Sequence, residues 1–135
     1  MFRSFQPLGI CAIVVFLSAC ATATSGTPSD LHYRRITLSP DSVEQALLNG
    51  PPQTAGMRSG RVVLKAGERM HRHSTKDSEE LLVFLLGKAR VVLGSETVAA
   101  EAGDVLYIPP QTEHEVHNDG SQELRYIYTV SPAGH

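Results

Sequence analysis

Four of the six histidines fall in two tight pairs, His71/His73 and His114/His117. The first pair stands just ahead of Glu79, Glu80 and an almost unbroken apolar run, in HRHSTKDSEELLVFLLG, residues 71–87. The second lies in GDVLYIPPQTEHEVHN, residues 103–118. Imidazoles and carboxylates are side chains that ligate divalent transition metals and carry protons near neutral pH. Chemistry of that kind at one site requires two stretches far apart in the chain to meet.

The segments that would bring them together read as strands. Arg61–Ala66, Leu81–Leu86, Ala89–Leu93, Thr97–Ala100, Val105–Ile108 and Leu124–Val130 are short and rich in aliphatic, β-branched or aromatic residues. Turn residues separate them, among them Gly87-Lys88, Gly94-Ser95 and Asn118-Asp119-Gly120. Short strands at such close spacing predict a sandwich or small barrel. LLVFLL (81–86) does not alternate, so both of its faces are expected to be covered, one of them by a partner subunit. One short helix is expected near the start, over Ser39-Pro40-Asp41 and VEQALLNG. Ser39 caps it, Pro40 suits its first position, and Asn49-Gly50 stops it.

Strand parity orients the polar residues. Residues two apart point the same way, so His71 and His73 project together with Arg72 opposite. Glu80 shares parity with Leu82, Phe84 and Leu86 and begins their inward row, which leaves Glu79 facing solvent. His114 begins a new strand after Pro109-Pro110, and parity puts His117 on the opposite face from it. Tyr107 and Tyr126 are expected in the core, and the isolated His32 and His135 at the surface.

The two histidine stretches resemble the two motifs of the cupin family. Glu80 and Gly87 are spaced as in the first motif, and His71-Arg72-His73 supplies its His-x-His. The loop between His73 and Glu80 (STKDSE) is longer than usual, and Gly67 lies closer to His71 than the family pattern has it. In the second motif Gly103, Pro109, His114 and Asn118 all fall in place, and Gln111 replaces a glycine. The resemblance spans roughly residues 60–130. It implies an all-β fold, a small jelly-roll cupin barrel. It also implies a divalent metal held by His71, His73, Glu80 and His114, with His117 and Tyr107 as candidates for a surrounding shell. Three imidazoles and one carboxylate suit Fe, Mn, Zn, Ni or Cu, and leave a coordination position open for a small molecule. The spacing is also compatible with a three-ligand site of His73, Glu80 and His114 flanked by His71. The family includes enzymes, binding modules and storage proteins, so a metal-dependent enzyme, a ligand- or metal-binding module and a dimeric scaffold all stay open. Cupin habit adds the expectation of a homodimer.

The chain begins MFRSFQPLGICAIVVFLSAC, a basic start, a short apolar run and small residues before Cys20. This is the layout of a secretory signal, too short for a comfortable membrane span. Leu17-Ser18-Ala19-Cys20 resembles the lipobox of bacterial lipoproteins. That implies removal of residues 1–19, lipidation of Cys20 and, with Ala21 following, the periplasmic face of the outer membrane. Cys11 would leave with the signal, so no free thiol would remain. Residues 20–30 then read as a flexible tether and 31–135 as one domain. Cys20–His135 carries 11 basic and 14 acidic residues with no basic block, which argues against a nucleic-acid partner.

Overall fold

A computed structural model describes residues 31–40 and 44–134. The signal segment, Cys20 and the tether lie outside the described residues. Nine strands follow one another, and among the described residues there is no helix. They are β1 (Glu44–Asn49), β2 (Arg58–Leu64), β3 (Arg69–His73), β4 (Ser78–Leu86), β5 (Lys88–Leu93), β6 (Glu96–Glu101), β7 (Val105–Ile108), β8 (His114–His117) and β9 (Leu124–Pro132).

The expected helix is corrected by β1. Residues 44–49 pair antiparallel with β2, Glu44 opposite Val62 and Asn49 opposite Arg58. Residues 41–43 lie outside the described residues. A helix of two turns is marginal by itself, whereas a strand beside β2 satisfies its backbone along an existing edge. The Gln45 side chain adds to this by accepting from the Ser39 N–H and donating to the Thr37 carbonyl.

Two antiparallel sheets result, ordered β1-β2-β9-β4-β7 and β3-β8-β5-β6. They face each other across a core of Leu82, Phe84, Val91, Ile108, Val116 and Leu124, each no more than 1% exposed. Each such aliphatic or aromatic side chain contributes roughly 1.5–3 kcal/mol on burial. The Phe84 and Tyr126 rings meet in this layer at 5.7 Å between centroids. This is the all-β jelly roll expected from the sequence.

The strand LLVFLL is buried on one face only. Leu82 and Phe84 point inward, while Leu81, Leu85 and Leu86 are about 40% exposed within the single chain. Gly87, which turns β4 into β5, has φ 80°, and a Cβ there would stand 2.5 Å from the Glu123 carbonyl oxygen. Only glycine fits both constraints.

Candidate metal centre

β3 and β8 lie side by side in the four-stranded sheet, with His73 directly opposite His114. Their ring centroids are 4.3 Å apart. Glu80 enters from the other sheet, at the start of β4, where it pairs with Val130 of β9 and Ile108 of β7. One ligand atom from each of His73, Glu80 and His114 lies within 4.8 Å of the other two. The two sheets therefore converge on one point, and the two distant stretches do meet.

The hydrogen bonds fix which nitrogens are free. His114 Nδ1 lies 3.0 Å from the Thr112 carbonyl oxygen, and His73 Nδ1 lies 2.8 Å from that of His71. A carbonyl only accepts, so each Nδ1 carries the proton and each Nε2 keeps a lone pair. His114 Nε2 stands 3.2 Å from Glu80 Oε2, both side chains being at most 5% exposed. Despite that proximity, neither atom has a directed hydrogen-bond partner. Two buried electron-rich atoms that face each other need a cation between them, either a proton or a metal ion. Burial alone would lower the His114 pKa, but the Glu80 carboxylate and the Thr112 carbonyl outweigh it and hold the pKa above its ordinary value. The donor set, two imidazole nitrogens and a carboxylate, fits a divalent transition metal.

His71 is placed differently from its neighbours in the motif. The register of β3 against β8 shifts between Met70 and His73, which marks a bulge containing His71 and Arg72. A bulge resets alternation. Met70 and His73 consequently both line the cavity, His73 at its solvent-exposed side, while the His71 side chain is exposed and outside the three-residue cluster. What His71 gives the site is its carbonyl, which orients His73.

His117 and Tyr107 also lie away from the cluster. His117 is on the outward face of β8, as parity expected, and its Nε2 pairs with Glu115 at 3.0 Å. Tyr107 is 54% exposed, not in the core, and donates to Glu79 Oε2 at 3.1 Å. It alternates outward from Ile108 on β7, a parity the sequence already contained. Tyr126 is buried as expected, and Asn118 is a turn-former whose Nδ2 donates to the Leu64 and Gln122 carbonyls.

The long loop after His73 is fastened to the turn before His114. Gln111, standing where the motif has glycine, adopts φ 61°, and Lys76 adopts φ 55°. The Gln111 N–H donates to the Lys76 carbonyl and its Nε2 to Asp77 Oδ1, both at 2.7 Å. A cavity of about 270 Å³ opens from the cluster, with apolar walls that include Val62, Leu82 and Val116. Arg58, Tyr128, Glu44 and Thr75 also line it and were not singled out in the sequence. Arg58 and Gly60 share the parity of the buried Val62, a signal that appears once β2 is extended back to Arg58.

The profile of the Cupin_2 family, a cupin domain, matches residues 60–130. The chain is a cupin. Among curated proteins, this cupin is 33% identical over 84 residues to a Streptomyces cyaneus protein named polyketide synthase CurC, covering 60% of this chain and 54% of that one. It spans about half the length of the curated relatives it matches. Among solved structures, a Cupin 2 conserved barrel domain protein from Salinispora arenicola superposes with a TM-score of 0.64 at 21% identity, over 76% of this cupin and 91% of that chain. An RmlC-like cupin of Methanocaldococcus jannaschii gives 0.61 at 19% identity, over 74% and 91%. At such identities the likeness is one of fold.

Proposed function

We propose that this cupin holds one divalent transition metal through His73 Nε2, His114 Nε2 and the Glu80 carboxylate, and that a small molecule reaches that metal through the adjoining cavity. The observation that carries this reading is the facing pair His114 Nε2 and Glu80 Oε2, buried and without hydrogen-bond partners. A bound metal would supply Lewis acidity or, if iron, manganese or copper, redox chemistry. The chain's own part is to orient the imidazoles through the Thr112 and His71 carbonyls and to hold Glu80 and His114 away from solvent. A fourth ligand from the His71 side chain would require the β3 bulge to rearrange. Retention of a ligand without turnover is the second reading. It is favoured by His117 and Tyr107, the candidates for a surrounding shell, lying on outer faces.

The reading extends to where the protein works. Export by residues 1–19 and lipidation at Cys20 would place it on the periplasmic face of the outer membrane, as a homodimer. Loss of palmitate labelling in Cys20→Ala tests the anchor.

Metal content measured by plasma mass spectrometry tests the site. The wild type should carry about one equivalent of one metal, and His73→Ala and His114→Ala should each lose most of it while remaining folded by circular dichroism. Unchanged metal in both variants would refute the assignment.

A further inference from the structure

The cavity combines apolar walls with polar side chains of both charges. Arg58 lines it from β2 and is its only lysine or arginine among the described residues. The register places Arg58 opposite Val130, and Val130 opposite Glu80. Cross-strand partners share a face, so Arg58 stands in the same row as Glu80, two strands away, roughly 10 Å from backbone to backbone. Arg58 is solvent-exposed, so it stands at the cavity mouth with its stem beside Gly50, and its guanidinium has no hydrogen bond or ion pair among the described residues.

Tyr128 brings a second donor to the same place. A Cβ at Gly60 would stand 2.6 Å from the Tyr128 ring and 2.7 Å from its hydroxyl oxygen, so the ring lies directly over Gly60. Gly60 is two residues from Arg58 on the same face of β2, which sets the hydroxyl beside the guanidinium's row. That hydroxyl likewise has no hydrogen-bond partner among the described residues. Burial pushes its pKa up, the Glu44 and Glu80 carboxylates push it further, and Arg58 offsets this only in part, so Tyr128 stays protonated and able to donate.

We propose that Arg58 and the Tyr128 hydroxyl read an acid group, and that the cavity's ligand is a small carboxylic acid with an apolar body. Two unpaired donors, one cationic, match a carboxylate's acceptors. The walls around Leu82, Val62 and Val116 suit an aryl or branched-alkyl body. About 270 Å³ lies just under the ~300 Å³ lower end of ordinary ligand pockets, which limits the ligand to a small molecule. Glu44 sets the orientation. It lies opposite Val62, four residues along β2 from Arg58, or roughly 13 Å, and repels a carboxylate from that end. The inference rests on the metal reading only for the neutralisation of Glu80, since neither Arg58 nor Tyr128 belongs to the three-ligand cluster.

The test is calorimetric titration of 3-phenylpropionate and 4-methylpentanoate, each beside its neutral amide, into metal-loaded and metal-stripped protein. Loaded wild type should bind each acid at least tenfold more tightly than its amide. Arg58→Met should abolish that preference, Arg58→Lys should keep part of it, and Tyr128→Phe should reduce it several-fold. All three variants should keep wild-type metal content. Equal binding of acid and amide by the wild type, no binding of either acid, or a preference intact in Arg58→Met would each overturn the proposal. Metal content separates the two ideas. Normal metal without acid preference leaves the metal site standing alone. An Arg58-dependent preference in protein that takes up no metal sinks the metal reading instead.

Discussion

Glu80 and His114 form a pair whose energetics change sign with its cation. Without a metal, a neutral His114 presents a lone pair to a carboxylate, an arrangement that costs free energy when buried. Glu80→Gln replaces one acceptor with an amide that can donate to Nε2. In mildly alkaline buffer, where imidazole is ordinarily neutral, the stripped variant should be more stable than stripped wild type by about 1 kcal/mol. Its metal affinity should nevertheless fall by more than tenfold. Calorimetric melting and metal competition check the two halves, and a stripped variant that melts lower in alkaline buffer would contradict the first. The pH dependence follows from the same pair. His114 has its pKa raised above the ordinary 6.5, so its protonated form stabilises the folded stripped protein below 6.5. That contribution is lost as pH rises through the folded value. Stripped wild type should therefore lose stability over that rise, and Glu80→Gln, lacking the carboxylate, should show a flatter profile.

Strand elements decided which residues the sequence revealed. Glu80 and His114 were legible because motif spacing and alternation agree for them, and His73 because it closes the His-x-His of the first motif; the structure brings the three together. His71 was misdirected by the same alternation, since nothing in Arg69–His73 announces a bulge. The helix over 44–49 failed for a different reason. Its caps are good local signals, but pairing with β2 is a tertiary gain invisible to local pattern. β2 also shows how closely an element is fitted to its neighbour. Gly60 lies beneath the Tyr128 ring, and a methyl group there would meet ring atoms at 2.6–2.8 Å. Gly60→Ala should cost about 1–3 kcal/mol through overpacking. It should also shift Tyr128 fluorescence, while Tyr128→Ala in the same background should recover part of the loss. Chemical denaturation of wild type, both single variants and the double variant measures this, and additive losses would contradict it.

At the scale of the molecule, the five-stranded sheet ends in β7, and its outer face, covered over β2 where Ser59, Arg61 and Val63 are buried, is exposed over β4 and β7. Leu81 and Val83 of β4 pair with Tyr107 and Val105 of β7, so the outward side chains of the two strands form a continuous apolar strip. Leu81, Val105 and Tyr107 are 38%, 59% and 54% exposed. Contiguous apolar patches on the surface of a soluble chain mark association sites. An edge strand whose outer backbone groups are unpaired adds a second reason to associate. A second copy meets both needs at once, because a two-fold contact can set strip against strip and edge against edge. In such a dimer Leu82 and Phe84 would serve the core and Leu81 the partner. The protein should sediment at twice its chain mass at micromolar concentration. Leu81→Lys with Val105→Lys should give a monomer that keeps its metal, because both side chains point away from the cavity. A wild type that sediments as a monomer would refute the dimer, and a double variant that stays dimeric would move the contact to another face.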